Sequence, residues 1–105
     1  IMQENINVKI LILNNNFLGM VRQWQQLFHE KRYSFVDMHN PDFVTIASGY
    51  GISGQSVSKR SELNDALKTM LEHDGAYLLN VMVGKEHNVF PMVPQGCGVG
   101  EIRLK

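Results

Sequence analysis

The chain has 105 residues with ten basic and ten acidic side chains, so its formal charge is zero with the four histidines neutral. Residues 1–52 carry four charges of each sign and residues 53–105 carry six of each; there is no basic tail or acidic arm, which argues against a nucleic-acid partner held by bulk charge. At 44% hydrophobic and 19% charged residues the composition suits a packed core, and one domain over 1–105 is the most that fits.

The chain opens on Ile1 and runs almost at once into a strand at Val8, an abrupt start that suits a piece of a longer protein. Val8-Lys9-Ile10-Leu11-Ile12-Leu13 is apolar on both faces apart from Lys9, which predicts a strand of a parallel sheet covered on both sides. Asn14-Asn15-Asn16 ends it. Phe17, Met20, Val21, Trp24, Leu27 and Phe28 then recur at helical spacing, with Arg22, Gln25, Gln26 and Glu30 mostly elsewhere on the wheel. The predicted helix runs from Leu18 to Lys31.

Asn40-Pro41 predicts a second helix start, with Asn40 as cap and Pro41 at the first helical position. Phe43, Val44, Ala47 and Tyr50 supply its buried face, and Gly49 or Gly51 ends it. Ile52 to Ser58 is a weaker strand, polar enough to lie near an edge. Ser61 is the expected cap of a third helix with an apolar stripe of Leu63, Ala66, Leu67, Met70 and Leu71, stopped at Asp74-Gly75. Tyr77 to Val83 is the last strand, and a loop-rich tail follows from Gly84. The order β-α-α-β-α-β predicts an α/β fold: a three-layer parallel sheet with flanking helices and right-handed crossovers.

Several classes drop out. Cys97 is the single cysteine, so an internal disulfide and a Cys-based zinc site are excluded. Apolar stretches such as Ile10–Leu13 fall far short of the ~20 residues that span a bilayer, and no signal-peptide pattern is visible. The class left is a soluble, intracellular unit with no membrane partner. His29, His39, His73 and His87 lack metal-ligand spacing. Cys97 has no base beside it in sequence and reads as a structural thiol.

In open α/β sheets ligands bind beyond the carboxyl ends of the strands, beside helix N-termini. Asn14-Asn15-Asn16 stands at such a junction. The helix start offers amides and partial positive charge suited to a phosphate. Gly19 permits close backbone approach, and asparagine carbonyls are hard donors suited to Mg²⁺. The plainer alternative is an asparagine-rich turn and helix cap.

The stretch Leu13-Asn14-Asn15-Asn16-Phe17-Leu18-Gly19-Met20-Val21-Arg22-Gln23-Trp24-Gln25-Gln26-Leu27-Phe28 closely resembles the acetolactate synthase (acetohydroxyacid synthase) catalytic subunit family. These are thiamine diphosphate enzymes of branched-chain amino-acid biosynthesis. Arg32-Tyr33-Ser34, Asn40-Pro41-Asp42-Phe43 and Pro91-Met92-Val93-Pro94 extend the likeness over essentially the whole chain. Asn-Asn after a strand is shared by many thiamine diphosphate enzymes, whereas Gly19-Met20-Val21 followed by Gln23-Trp24 is much more specific. The resemblance implies the carboxy-terminal part of a thiamine diphosphate-binding, Rossmann-like domain. The family's motif opens on Gly-Asp-Gly well upstream of Asn-Asn, and only 13 residues precede Asn14. The Mg²⁺-holding aspartate is therefore missing, as are the flavin-binding middle domain and the amino-terminal domain with its cofactor-activating glutamate.

Residue by residue, the resemblance implies that Asn15 is the side-chain ligand of Mg²⁺ and Phe17 a main-chain carbonyl ligand. It implies that the amides of Leu18, Gly19 and Met20 meet the diphosphate. Met20 and Val21 correspond to residues near the reactive thiazolium carbon, and Trp24 to an aromatic residue that selects the second ketoacid. Plain core packing of an amphipathic helix is the alternative for these three. His29 stands where the family usually has tyrosine and Cys97 where it usually has glycine, while Gln95 lies in the tail that folds over the site in relatives. The implied parent is a cytoplasmic transferase that condenses two 2-ketoacids, needs thiamine diphosphate and Mg²⁺, and has FAD outside this segment. It would be a homodimer or tetramer with a regulatory small subunit, while the fragment alone would be inactive. Rival readings are another thiamine diphosphate-dependent ketoacid decarboxylase or acetyltransferase, and a non-enzymatic α/β binding or regulatory domain.

Overall fold

A computed structural model describes residues 1–105 and divides them into two compact units. The first comprises residues 1–16 and 38–84, the second residues 17–37 and 85–105.

The first unit is built on β1 (Lys9–Asn14), α2 (Phe43–Gly49), β2 (Ser53–Val57), α3 (Leu63–Glu72) and β3 (Tyr77–Met82). The three strands are parallel in the order β1-β3-β2, with Leu11 opposite Leu79 and Gln55 opposite Leu79 on the other side. Strand alternation decides the layers. Tyr77, Leu79 and Val81 pack with Val57 against Ala66 and Met70 of α3. Leu78 points the other way and packs with Ala47 and Ile52, joined by Ile10, Ile12, Phe43 and Val44. Helix, sheet, helix is the three-layer arrangement expected from the alternation of elements, with β2 at an edge.

The buried centre is β3, not β1. Leu79 is 0% exposed, whereas Leu11 is half open and Leu13 is 66% exposed. The expectation that β1 is covered on both faces fails because α3 sits over β2 and β3. Gly54 has a packing reason: a Cβ there would lie 2.6 Å from the Leu78 carbonyl oxygen. Asn80, also buried, donates to Ser56 Oγ at 2.8 Å, but its own carbonyl oxygen has no partner.

Two expected caps are replaced. Asp42, not Asn40, caps α2, accepting the amides of Val44 and Thr45 at 3.0 and 3.2 Å. Pro41 precedes the cap and holds Asn40 out of the helix. A 3₁₀ turn over Arg60–Glu62 precedes α3, whose N-cap Glu62 makes no side-chain cap bond. Its amide reaches the Lys59 carbonyl at 3.1 Å, so backbone replaces the Ser61 hydroxyl expected there. The predicted buried faces also shrink: Tyr50 and Leu71 are both exposed. Helix α2 closes with Gly51 at φ 75°, its amide on Ser48 and that of Ile52 on Ala47. This is a Schellman end.

The second unit holds α1 (Gly19–Phe28) and irregular chain. Helix α1 stops three residues before the predicted Lys31, because Glu30 and Lys31 both take left-handed conformations, φ 52° and 59°. Its amphipathicity departs from expectation, with Trp24 and Leu27 only half-buried. Arg22 and Gln23 are buried, while Met20, Val21 and Phe28 are exposed. The irregular segments carry backbone groups that no ladder pairs, and the polar side chains of α1 meet them. Gln25 accepts the Ser34 amide at 2.9 Å and donates to its carbonyl at 3.0 Å. The tail closes on itself through an antiparallel bridge between Met92 and Arg103.

Candidate functional site

Asn14 is buried at the end of β1, where its main-chain carbonyl accepts the Val83 amide at 2.9 Å. Its side-chain oxygen accepts the Asn16 amide at 3.1 Å and Asn40 Nδ2 at 2.8 Å. Asn40 Nδ2 also reaches Asn16 Oδ1 at 3.2 Å, and the Met38 amide reaches the Asn16 carbonyl at 2.8 Å. Asn16 sits at φ 56°, a conformation asparagine tolerates. The turn is thus held from three directions, with Asn15 half-buried at its middle. Asn40 was missed as a brace, although an asparagine fixed in extended chain before Pro41 is a usable signal.

The residues that follow belong to the second unit. Phe17 forms an antiparallel bridge with Asp37, and the Leu18 amide donates to the Val36 carbonyl at 2.9 Å. That bond leaves the Leu18 amide engaged by protein, just ahead of Gly19 and Met20. These open α1, where main-chain donors have no carbonyl of their own helix to meet. Leu18 is the N-cap, it makes no side-chain cap bond, and no acidic residue lies in the first turn. The asparagines are therefore not the caps of this helix, although they do form an asparagine turn, as the plainer alternative expects.

The side-chain carbonyl of Asn15 and the main-chain carbonyl of Phe17 are hard, neutral oxygens of the kind Mg²⁺ takes, and an uncapped helix start suits anionic oxygens. They fit as part of a set, since no group of three or more His, Cys, Asp or Glu side chains is placed to hold a metal. Further along α1, Met20 and Val21 are about half exposed, and Trp24 is half-buried with its ring 4.9 Å from that of Phe28. Packing leaves Met20 and Val21 open, whereas Trp24 packs in part against Phe28. Gln95 is exposed and Cys97 partly buried with a free thiol.

The family model described as "Thiamine pyrophosphate enzyme, C-terminal TPP binding domain" matches residues 1–81. The chain belongs to this thiamine pyrophosphate enzyme family. Among curated relatives of this family domain, it is 45% identical over 104 residues to acetolactate synthase isozyme 2 large subunit of Escherichia coli (strain K12), covering 98% of this chain and 19% of that protein. It is 48% identical over 99 residues to the mitochondrial acetolactate synthase catalytic subunit of Saccharomyces cerevisiae, covering 94% and 14%. The chain thus spans less than a fifth of the length of these relatives. Among solved structures, the domain matches the thiamine diphosphate-dependent 4-hydroxybenzoylformate decarboxylase of Rhodococcus jostii RHA1 with a TM-score of 0.72. Identity there is 30%, over 81% of this chain and 16% of that one. No helix of the domain is long and apolar enough to cross a membrane.

Proposed function

We propose that residues 1–105 are the carboxy-terminal part of the diphosphate- and Mg²⁺-binding domain of an acetolactate synthase, a transferase that joins two 2-ketoacids in branched-chain amino-acid biosynthesis. The observation that carries the proposal is the start of α1. It is an uncapped helix, two residues beyond a braced asparagine turn, with Met20, Val21 and Trp24 left available on its apolar side. Near-complete coverage of the chain by acetolactate synthases supports the choice of reaction over ketoacid decarboxylation alone.

Asn15 and the Phe17 carbonyl would hold Mg²⁺, with an anionic ligand from elsewhere in the parent protein. The amides of Gly19 and Met20 would meet the diphosphate. Thiamine diphosphate, when bound, supplies the electron sink that lets a 2-ketoacid lose CO₂ and its two-carbon remainder add to a second ketoacid. Met20 and Val21 form an apolar wall at the reacting centre and keep water from it. Trp24 orients the acceptor, pyruvate or 2-ketobutyrate. FAD binds outside this segment. The parent is cytoplasmic and assembles as a homodimer or tetramer; relatives named large or catalytic subunits support a regulatory small subunit beside it.

The test uses the full-length protein that carries this chain. Given pyruvate, thiamine diphosphate and Mg²⁺, it should form acetolactate, and Asn15→Ala should need far more Mg²⁺ and cofactor for the same rate. Acetaldehyde as the sole product would favour a decarboxylase. An Asn15→Ala variant that merely melts earlier would reduce Asn15 to a turn residue.

A further inference from the structure

Arg22 is a charged side chain that no step above uses, yet it is only 6% exposed. A guanidinium so deeply placed needs partners, and the Phe17 ring is one of the four it has. The guanidinium carbon lies 5.4 Å from the centroid of the Phe17 ring and 4.7 Å from that of Tyr33. Arg22 also forms an ion pair with Glu86 and donates to Gln26 Oε1 at 3.3 Å. The Lys85 ammonium meets the Phe17 ring as well, 5.1 Å from its centroid. Cations over aromatic faces attract the ring quadrupole, more so where water is excluded. A planar guanidinium can stack on rings and pair with a carboxylate at once, which an ammonium cannot.

We infer that Arg22 is a positioning residue: it fixes the Phe17 ring, and through it the main-chain carbonyl that Phe17 turns toward the cation. The inference rests on the reading of Phe17 as a Mg²⁺ ligand given above. A carbonyl ligand is indifferent to its own side chain only while nothing fixes that side chain. Here the ring is held by residues from α1 and from the segment after β3. The peptide plane that carries the carbonyl is held from its other side by the Leu18 amide on the Val36 carbonyl, so losing the ring contacts leaves the Phe17 Cα anchored on one side only. Arg22 touches neither cofactor nor substrate and acts by orientation alone.

The experiment measures thiamine diphosphate binding to the full-length protein by isothermal titration over a series of Mg²⁺ concentrations. Partners that orient a metal ligand are typically worth about 10–100-fold in metal affinity. Arg22→Met should raise the Mg²⁺ needed for half-maximal cofactor binding by about ten-fold. Phe17→Leu, which keeps the carbonyl and loses the ring, should do the same, and the double variant should be no worse than either single. Arg22→Lys should recover only part of the loss. If Arg22→Met does not fold, Phe17→Leu and Glu86→Gln carry the measurement. An unchanged Mg²⁺ dependence in the folded variants, or additive losses in the double variant, overturns the positioning role. A wild-type protein that binds no thiamine diphosphate overturns the underlying functional reading instead.

Discussion

Gln23 grips the backbone of Val89 with both ends of its amide: Oε1 accepts the Val89 N–H at 2.7 Å and Nε2 donates to the Val89 carbonyl at 3.0 Å. Nε2 also reaches Met92 Sδ at 3.0 Å. The side chain substitutes for a β-partner, tying α1 to a segment that has no ladder of its own. Gln23 is 1% exposed, so its amide meets these groups away from bulk water.

Gln23→Ala should therefore cost about 1–3 kcal/mol, the range for stranding buried polar groups. Gln23→Glu keeps the acceptor but sets a carboxylate against the Val89 carbonyl. Its folded-state pKa should be raised, so its stability should improve as pH falls toward about 5. Thermal melts of the two variants at pH 5 and pH 7.5 separate these effects. Parallel curves for Glu and Ala would show that the amide pairing contributes nothing.

Asp42 caps α2, and the hydroxyl and amide of Thr45 hold its carboxyl below the ordinary value of 3.8. A depressed folded-state pKa gives stability that is complete above 3.8 and lost as pH falls through the lower folded value. Asp42→Ala should melt below wild type at neutral pH, and the gap should narrow in acid below 3.8. A gap independent of pH would mean the charge plays no part. Asn40→Ala should leave α2 intact and loosen the asparagine turn instead, visible as faster amide exchange at Asn16.

In the sheet, three substitutions have different expected costs. Leu79→Ala should cost about 2–5 kcal/mol by cavity formation. Gly54→Ala should cost about 1–3 kcal/mol, because its Cβ meets the Leu78 carbonyl and backbone has nowhere to retreat. Asn80→Leu should be neutral or stabilising, since it removes a buried oxygen with no partner. Urea titrations read all three, and a large loss at Asn80 would reveal a partner for that oxygen.

Under the proposed function Trp24 selects the acceptor. One methylene separates pyruvate from 2-ketobutyrate, and a shaped apolar contact discriminates such pairs by about 1–3 kcal/mol. In the full-length protein Trp24→Leu should lower the ratio of acetohydroxybutyrate to acetolactate when both ketoacids compete, with acetolactate formation from pyruvate largely kept. An unchanged ratio would leave Trp24 as a packing residue beside Phe28.

Burial by sheet and helix was legible where one physical pattern dominates. Tyr77 to Met82 is apolar nearly throughout and is the most buried strand, and Ala66 and Met70 follow helical spacing into the core. The α1 face was not legible, because periodicity equates apolar with inward. In a unit short of regular structure, Arg22 and Gln23 are drawn in by unpaired backbone and a carboxylate, which hydropathy does not register. The caps failed for a related reason: Asn40, Asp42 and Ser61 all have suitable side chains, and only the chain path after Pro41 and the 3₁₀ turn decides among them. The asparagine turn was visible as a motif, whereas its brace from Asn40 required distant residues to meet. The engaged Leu18 amide was equally hidden, since Val36 lies 18 residues further along.

Leu11 and Leu13 leave one face of the edge strand β1 greasy, on a chain whose ten basic and ten acidic side chains balance near neutral pH. Colloidal repulsion is then weakest at neutral pH, where an open strand edge is most prone to zip onto another. Light scattering from concentrated solutions of the 105-residue chain should peak near pH 7 and fall on either side. Leu13→Lys should lower that peak and move it above pH 7, by breaking the greasy face and adding one positive charge, so one side chain of the sheet would set how long the chain keeps in the tube.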